Sequence, residues 1–170
     1  MDLISNKIIS IILLGLLLYF IYRINQRKKM KFFVLAKKLG AKPIDSGVIG
    51  KYQGQEYIIY FQDGMPGGGA GGAGSAAFPA SVRLCFELNS DLDFRFFHDQ
   101  EINSPENILN PELVKQSVEQ LFGLGYKEIL CDGELLDIKY YPASMDGQFN
   151  ADFFKKSFTM SGDLIKAIQT

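Results

Sequence analysis

The feature that most constrains this chain is an uncharged apolar run at residues 8–22, IISIILLGLLLYFIY. A transmembrane helix needs about 20 apolar residues to cross about 30 Å of hydrocarbon. Residues 3–6 bring the segment to about that length, because the long stem of Lys7 can reach the bilayer surface. Five basic residues follow the run at once: Arg23, Arg27, Lys28, Lys29 and Lys31. The run therefore predicts an uncleaved single-pass signal anchor over residues 1–24, with these five residues at the membrane interface.

Two alternatives compete with an anchor. A secretory signal peptide has a basic start and a small-residue cleavage site, whereas here only Lys7 precedes the run and bulky residues follow it. An interfacial or buried helix is the other alternative. Because basic flanks stay in the cytoplasm, the anchor predicts an inner or plasma membrane protein with its N-terminus outside and its C-terminal domain cytoplasmic.

The charges are distributed unevenly. Residues 1–42 contain nine basic residues and one acidic residue, while residues 43–170 contain nine basic and eighteen acidic residues. This predicts a basic juxtamembrane helix over residues 25–42 and an acidic domain over residues 43–170. An acidic domain lacks the basic surface that phosphate backbones attract, which argues against nucleic acid as a partner. The predicted partners are the membrane lipid bilayer and a protein or membrane complex.

Residue periodicity predicts the fold of the acidic domain. Alternating apolar residues and turn signals indicate six strands, at residues 48–52, 56–61, 81–88, 92–98, 128–131 and 134–141. Helical spacing indicates helices after Asn110-Pro111 and over residues 151–168, the second with a break near Ser161-Gly162-Asp163. Short connections between strands predict an α+β fold with an antiparallel sheet and two helices on one face. The strands at 81–88 and 92–98 are expected to pair with each other.

The glycine-rich stretch at residues 64–77, GMPGGGAGGAGSAA, is the second conspicuous feature. Gly67, Gly69 and Gly72 match the dinucleotide-binding spacing, but no helix is predicted to follow them, and so rich a run matches by chance. The stretch is interpreted as a flexible loop, or as an ordered contact loop for a partner or for the bilayer. The candidate contact residues are Gly67, Gly68, Gly69, Gly71, Gly72 and Gly74.

Few residues suggest catalysis or metal binding. His98 is the only histidine, and Asp99 and Glu101 are its acidic neighbours. Cys85 and Cys131 lack the paired spacing of a zinc site and lie in apolar strands, as reduced core thiols do. The sequence therefore predicts no catalytic residue, no metal site and no cofactor.

The resulting hypothesis is a membrane-anchored, non-enzymatic interaction domain. It would act as an accessory subunit of a membrane complex, or as an adaptor that holds a basic partner. Two alternatives remain open. One is an enzyme at the membrane surface that uses His98, Asp99 and Glu101. The other is a module that binds anionic lipids through the basic residues of 27–38.

Overall fold

The computed structural model describes residues 3–62, 80–102, 108, 110–142 and 150–169. These residues form three helices and seven strands. The helices are α1 (Leu3–Leu39), α2 (Pro111–Gly123) and α3 (Ala151–Gln169). The strands are β1 (Lys42–Ile44), β2 (Gly47–Tyr52), β3 (Gln55–Gln62), β4 (Ser81–Glu87), β5 (Asp93–Phe97), β6 (Glu128–Asp132) and β7 (Leu135–Tyr140).

All seven strands belong to one antiparallel sheet in the order β1-β2-β3-β4-β7-β6-β5. This confirms the α+β class and the antiparallel sheet. β1 was missed because three residues that include Pro43 give too short a pattern to recognise as a strand. The sequence also suggested a break in α3 at Gly162, but this helix is continuous because its buried face holds it against the sheet.

Local sequence signals account for most of the boundaries. The side chain of Asn110 accepts a hydrogen bond from the backbone of Leu113 at 3.2 Å, and Pro111 occupies the first helical position of α2. Gly40 ends α1 with a positive φ of 66°. The hairpin between β6 and β7 turns at Gly133, whose φ is 86°.

The hydrophobic core lies between one face of the sheet and all three helices. Phe158 of α3 packs against Tyr57 at 4.3 Å between ring centroids, and Phe154 packs edge-on against Phe61. Phe32 of α1 contacts the same Phe61 ring at 5.3 Å. α2 contributes further buried side chains: Val114, Val118, Leu121 and Phe122. The opposite face of the sheet carries none of the described helices, and we call it the helix-free face.

The predicted pairing of the strands at 81–88 and 92–98 is wrong. β4 pairs with β3 and β7, and β5 pairs with β6, so that β7 and β6 separate the two strands that were expected to form a hairpin. β7 is buried at Leu136, Asp137 and Ile138 and pairs with β4 on one edge and β6 on the other. The β6–β7 hairpin therefore lies where the chain order suggests a direct return of β5 onto β4. The charges on β4 and β5 consequently find partners on β6 and β7.

The prediction of a single-pass anchor over residues 1–24 is wrong. Within the described part of the chain, no helix has an apolar stretch long enough to cross a membrane. The uncharged run extends over 15 residues, and at about 1.5 Å per residue it falls short of about 30 Å of hydrocarbon. The predicted inner or plasma membrane localisation, with the N-terminus outside and the C-terminal domain cytoplasmic, loses its basis with the anchor.

α1 is one uninterrupted helix that includes both the apolar run and the basic residues after it. Its last two turns pack into the core through Phe32, Leu35 and Ala36, which are at most 4% exposed. A hydrogen bond from the Ala41 amide to the Ala36 carbonyl, 2.8 Å long, closes the end of the helix. The C-terminal part of α1 is therefore held by the sheet domain.

Candidate functional site

The N-terminal half of α1 presents the most exposed apolar surface in the described structure. We call residues 11–24 the apolar segment. Its twelve large apolar side chains are each 40–69% exposed, and they lie on every side of the helix: Ile11, Ile12, Leu13, Leu14, Leu16, Leu17, Leu18, Tyr19, Phe20, Ile21, Tyr22 and Ile24. Together they expose on the order of 1,000 Å², whereas the largest apolar patch of a typical monomer measures about 300–600 Å².

The five basic residues predicted for an interface follow this segment along α1. Arg23, Arg27 and Lys29 are exposed, and Lys28 and Lys31 are half-buried. Lys29 lies 3.6 Å from the carboxylate of Asp45, where both side chains are open to solvent. An exposed pair of this kind contributes little to stability, so the basic side chains remain accessible to a partner. The predicted contact loop, with its six glycines, lies outside the described residues.

Two buried carboxylates lie on the helix-free face, and each binds an arginine from another strand. Asp137 on β7 is 1% exposed and accepts three bonds from Arg83 on β4. Arg83 Nε lies 3.2 Å from Oδ1 and 3.1 Å from Oδ2 of Asp137, and Nη2 lies 2.6 Å from Oδ2. Glu128 on β6 is 4% exposed and accepts a 2.8 Å bond from Nε of Arg95 on β5. Lys139 lies 3.3 Å from Glu128 and 3.7 Å from Asp137, and so it links the two pairs.

This network sets the charge of Glu128. Burial by itself raises the pKa of this carboxyl, but the bonds from Arg95, Lys139 and Tyr141 outweigh burial and leave the pKa below its ordinary value. Glu128 is therefore ionised at neutral pH. Burial, and then the bond to Glu128, raise the pKa of the Tyr141 hydroxyl, which donates to Glu128 at 3.1 Å. Tyr141 is consequently a proton donor held in its neutral form.

The buried thiols are not activated. Burial, and then the charge of Asp137, raise the pKa of Cys85 to about 12, and its Sγ donates to Asp137 Oδ1 at 3.5 Å. Burial also raises the pKa of Cys131, whose Sγ donates to the Leu92 carbonyl at 3.4 Å. Both cysteines are free and buried, as the sequence predicts for core thiols. Since the thiolate is the nucleophile, neither position is suited to covalent catalysis.

His98 and Asp99 border a shallow depression of about 360 Å³, together with Phe97, Lys127, Glu128 and Tyr141. The backbone amide of His98 donates to the Lys127 carbonyl at 3.1 Å, and its ring packs edge-on against Phe122 at 5.6 Å. Among the described residues, no hydrogen bond joins His98 to Asp99 or Glu101. Glu101 does not border the depression. The sheet therefore places Glu128 and Tyr141, rather than Glu101, around the same depression as the histidine.

Sequence reasoning missed the buried network on the helix-free face. Asp137 and Glu128 lie at polar positions of alternating strands, a pattern that also describes solvent-exposed residues. Only the pairing of β4 with β7 and of β5 with β6 brings these carboxylates to the arginines. Among the described residues, no group of three or more His, Cys, Asp or Glu side chains is arranged to hold a metal ion.

Similarity to known proteins gives no function for this chain. No protein-family model, no curated protein and no solved structure matches the chain.

Proposed function

We propose that this protein is a non-enzymatic interaction subunit whose apolar segment is buried among helices of a larger protein assembly. The observation that carries the proposal is the exposure of twelve large apolar side chains on every side of α1. A helix with apolar side chains on every side is normally buried against other apolar groups, because contact between so much hydrocarbon and water is unfavourable. A partner with several apolar helices covers all sides, whereas a single groove covers one.

The sheet domain has the features of a folded base for the apolar segment. The last turns of α1 pack into the core, so the apolar segment extends from a folded base instead of from a loose linker. The two cysteines are buried and protonated, and His98 makes no side-chain bond to an acidic neighbour among the described residues. These features favour an accessory subunit or adaptor over an enzyme.

A photo-crosslinking experiment tests this proposal. The full chain is expressed with a benzoyl-phenylalanine residue at Leu17, and a control chain carries the same residue at Gln120 on the exposed side of α2. We expect Leu17 to crosslink one protein in stoichiometric yield, and Gln120 to crosslink none. Changing Leu13, Leu14 and Leu18 together to Asn should lower the yield at Leu17 about tenfold or more, since polar groups in a buried apolar contact are costly.

An anionic lipid surface is the second candidate, and it is favoured by the basic residues that follow the apolar segment. Each Lys or Arg near such a surface contributes about 1 kcal/mol, and salt weakens the attraction. If Leu17 crosslinks lipid and no protein, and if binding to vesicles with anionic headgroups falls as salt rises, the lipid candidate replaces the protein assembly. Absence of both crosslinks overturns the two candidates together.

A further inference from the structure

The helix-free face of the sheet has a charge pattern that is complementary to itself. Strand register divides the centre of this face into three parallel rows that run across β3, β4, β7, β6 and β5. The basic row contains Tyr60, Arg83, Lys139, Glu128 and Phe97. The middle row contains Ile58, Cys85, Asp137, Leu130 and Arg95. The acidic row contains Glu56, Glu87, Leu135, Asp132 and Asp93.

The charges that the basic row exposes to solvent are mainly positive. The side chains of this row differ in exposure: that of Glu128 is 6% exposed, whereas those of Arg83 and Lys139 are 36% and 20% exposed. Both cations are also held in place, since Arg83 binds Asp137 through two of its nitrogens and Lys139 lies between the two buried carboxylates. Cations held in this way lose little side-chain freedom when they bind a carboxylate.

The third row is acidic and lacks internal neutralisation over most of its length. Glu87, Asp93 and Asp132 are exposed, and Asp93 lies directly opposite Asp132 in the strand register. Like charges in directly opposed positions repel each other. Lys51 binds Glu56 at 2.8 Å at one end of the row. A cation brought to the Asp93–Asp132 end of this row would therefore relieve a repulsion that the monomer retains.

We propose that a second copy of this chain packs on the helix-free face, with a two-fold axis that runs along the middle row. Rotation about that axis places each basic row over the acidic row of the other copy, so that Arg83 faces Glu87 of the second copy. The Arg95 guanidinium binds Glu128 and lies 4.6 Å from the Phe97 ring centroid, so its charge belongs to the basic row and would face Asp93 and Asp132 of the second copy. The rows lie about 7 Å from the axis, since side chains on one face repeat every two residues. Two sheets that pack face to face stay within about 30° of alignment, which preserves this pairing near the axis.

The half-buried apolar side chains of the face supply the contact between the charged rows. Ile58 and Leu130 of the middle row would meet their own copies, and Tyr60 and Leu135 lie on either side of them. In a two-fold dimer the same surface of each copy forms the contact, so that surface must contain both members of each interacting pair. The helix-free face meets that requirement because it has both a basic and an acidic row.

Disulfide crosslinking of the full chain tests the dimer. Leu130→Cys places a thiol next to the axis, and Glu119→Cys on the exposed side of α2 is the matched control. On oxidation with copper phenanthroline, we expect the yield of covalent dimer from the Leu130→Cys chain to be at least about tenfold higher than the yield from the control. Adding Glu87→Arg to Leu130→Cys should lower the dimer yield about tenfold by opposing two arginines, whereas adding Glu119→Arg should not.

The outcomes separate clearly. Dimer formation no higher than in the control, or a yield that Glu87→Arg leaves unchanged, overturns the proposal. Circular dichroism checks the fold of each variant, and Ile58→Cys replaces Leu130→Cys if the latter does not fold. The crosslink should persist when Leu13, Leu14 and Leu18 are changed to Asn, so failure of this dimer and failure of the helical assembly are distinguishable.

Discussion

At the scale of single residues, burial decides the chemistry of the polar side chains. The same kind of group behaves differently according to its neighbours: Glu128 stays ionised because three donors surround it, whereas Cys85 stays protonated because it is buried beside a carboxylate. Tyr126 is fully buried and donates to Ser157 at 2.9 Å, and burial raises its pKa. None of these states follows from residue type alone.

Cys85 should be nearly inert to thiol reagents in the folded protein. With a pKa of about 12, about one molecule in 10⁴ is a thiolate at pH 8, against roughly a quarter for an ordinary thiol. We expect alkylation by iodoacetamide to be about 10³-fold slower than at the introduced thiol of Glu119→Cys, and to become equally fast in guanidinium chloride. Mass mapping of the modified peptides measures both rates, and rapid labelling of native Cys85 would contradict the assignment.

At the scale of elements, the β2–β3 hairpin shows how the residues of a turn fit its backbone conformation. The β2–β3 hairpin turns through Gln53 and Gly54, both with positive φ, at 51° and 87°. A two-residue loop of this kind favours Asn or Gly at its first position, and Gln53 is the only described non-glycine residue with a positive φ. The hairpin was predicted from Gln53-Gly54-Gln55, and its pairing from Tyr52↔Gln55 onwards confirms it.

Gln53→Asn should stabilise the protein by about 0.5–1 kcal/mol, because Asn tolerates the left-handed conformation better than Gln. In a chain of this size that corresponds to a rise of about 1–4 °C in the melting temperature. Gln53→Val is the matched control and should lower the melting temperature, since a branched side chain is strained at positive φ. Thermal unfolding followed by circular dichroism measures both changes, and equal melting temperatures for the two variants would refute this account.

At the scale of the whole molecule, the two charged regions have different structural roles. The basic residues of α1 lie along an exposed helix, whereas the basic residues of β4, β5 and β7 bind buried carboxylates. The net acidity of residues 43–170 therefore does not extend evenly over the surface. The helix-free face combines a basic and an acidic row, and this is what favours a copy of the chain as its partner.

The stability of the whole molecule should fall in acid through Glu128. Its pKa is lower in the folded state than in the unfolded state, so its contribution is complete above the unfolded pKa, about 4.3, and is lost as the pH falls through the folded pKa. Glu128→Gln should lower the free energy of unfolding by about 1–3 kcal/mol near pH 7. The difference from wild type should shrink towards about pH 3.

Urea unfolding across this pH range measures the difference. Glu119→Gln on the exposed side of α2 is the control and should match the wild type at each pH. A difference between wild type and Glu128→Gln that is constant with pH would show that Glu128 acts through packing instead of charge.

The sequence by itself determined the elements of this protein. Alternation of apolar residues located six of the seven strands, Asn110-Pro111 located the start of α2, and glycines located the turns, because these signals depend only on neighbours along the chain. The apolar run at residues 8–22 is equally visible in the sequence. The prediction of a membrane span from this run is wrong, because no helix of the described residues has an apolar stretch of that length.

Tertiary structure alone decided which strands meet and what their polar residues do. Insertion of β7 and β6 between β4 and β5 is a long-range choice that the local pattern does not contain. That choice brings Arg83 to Asp137 and Arg95 to Glu128, and it places Glu128, rather than Glu101, at the depression that His98 borders. Local propensity acts over a few residues, whereas burial and charge pairing depend on strands up to 54 residues apart in the chain.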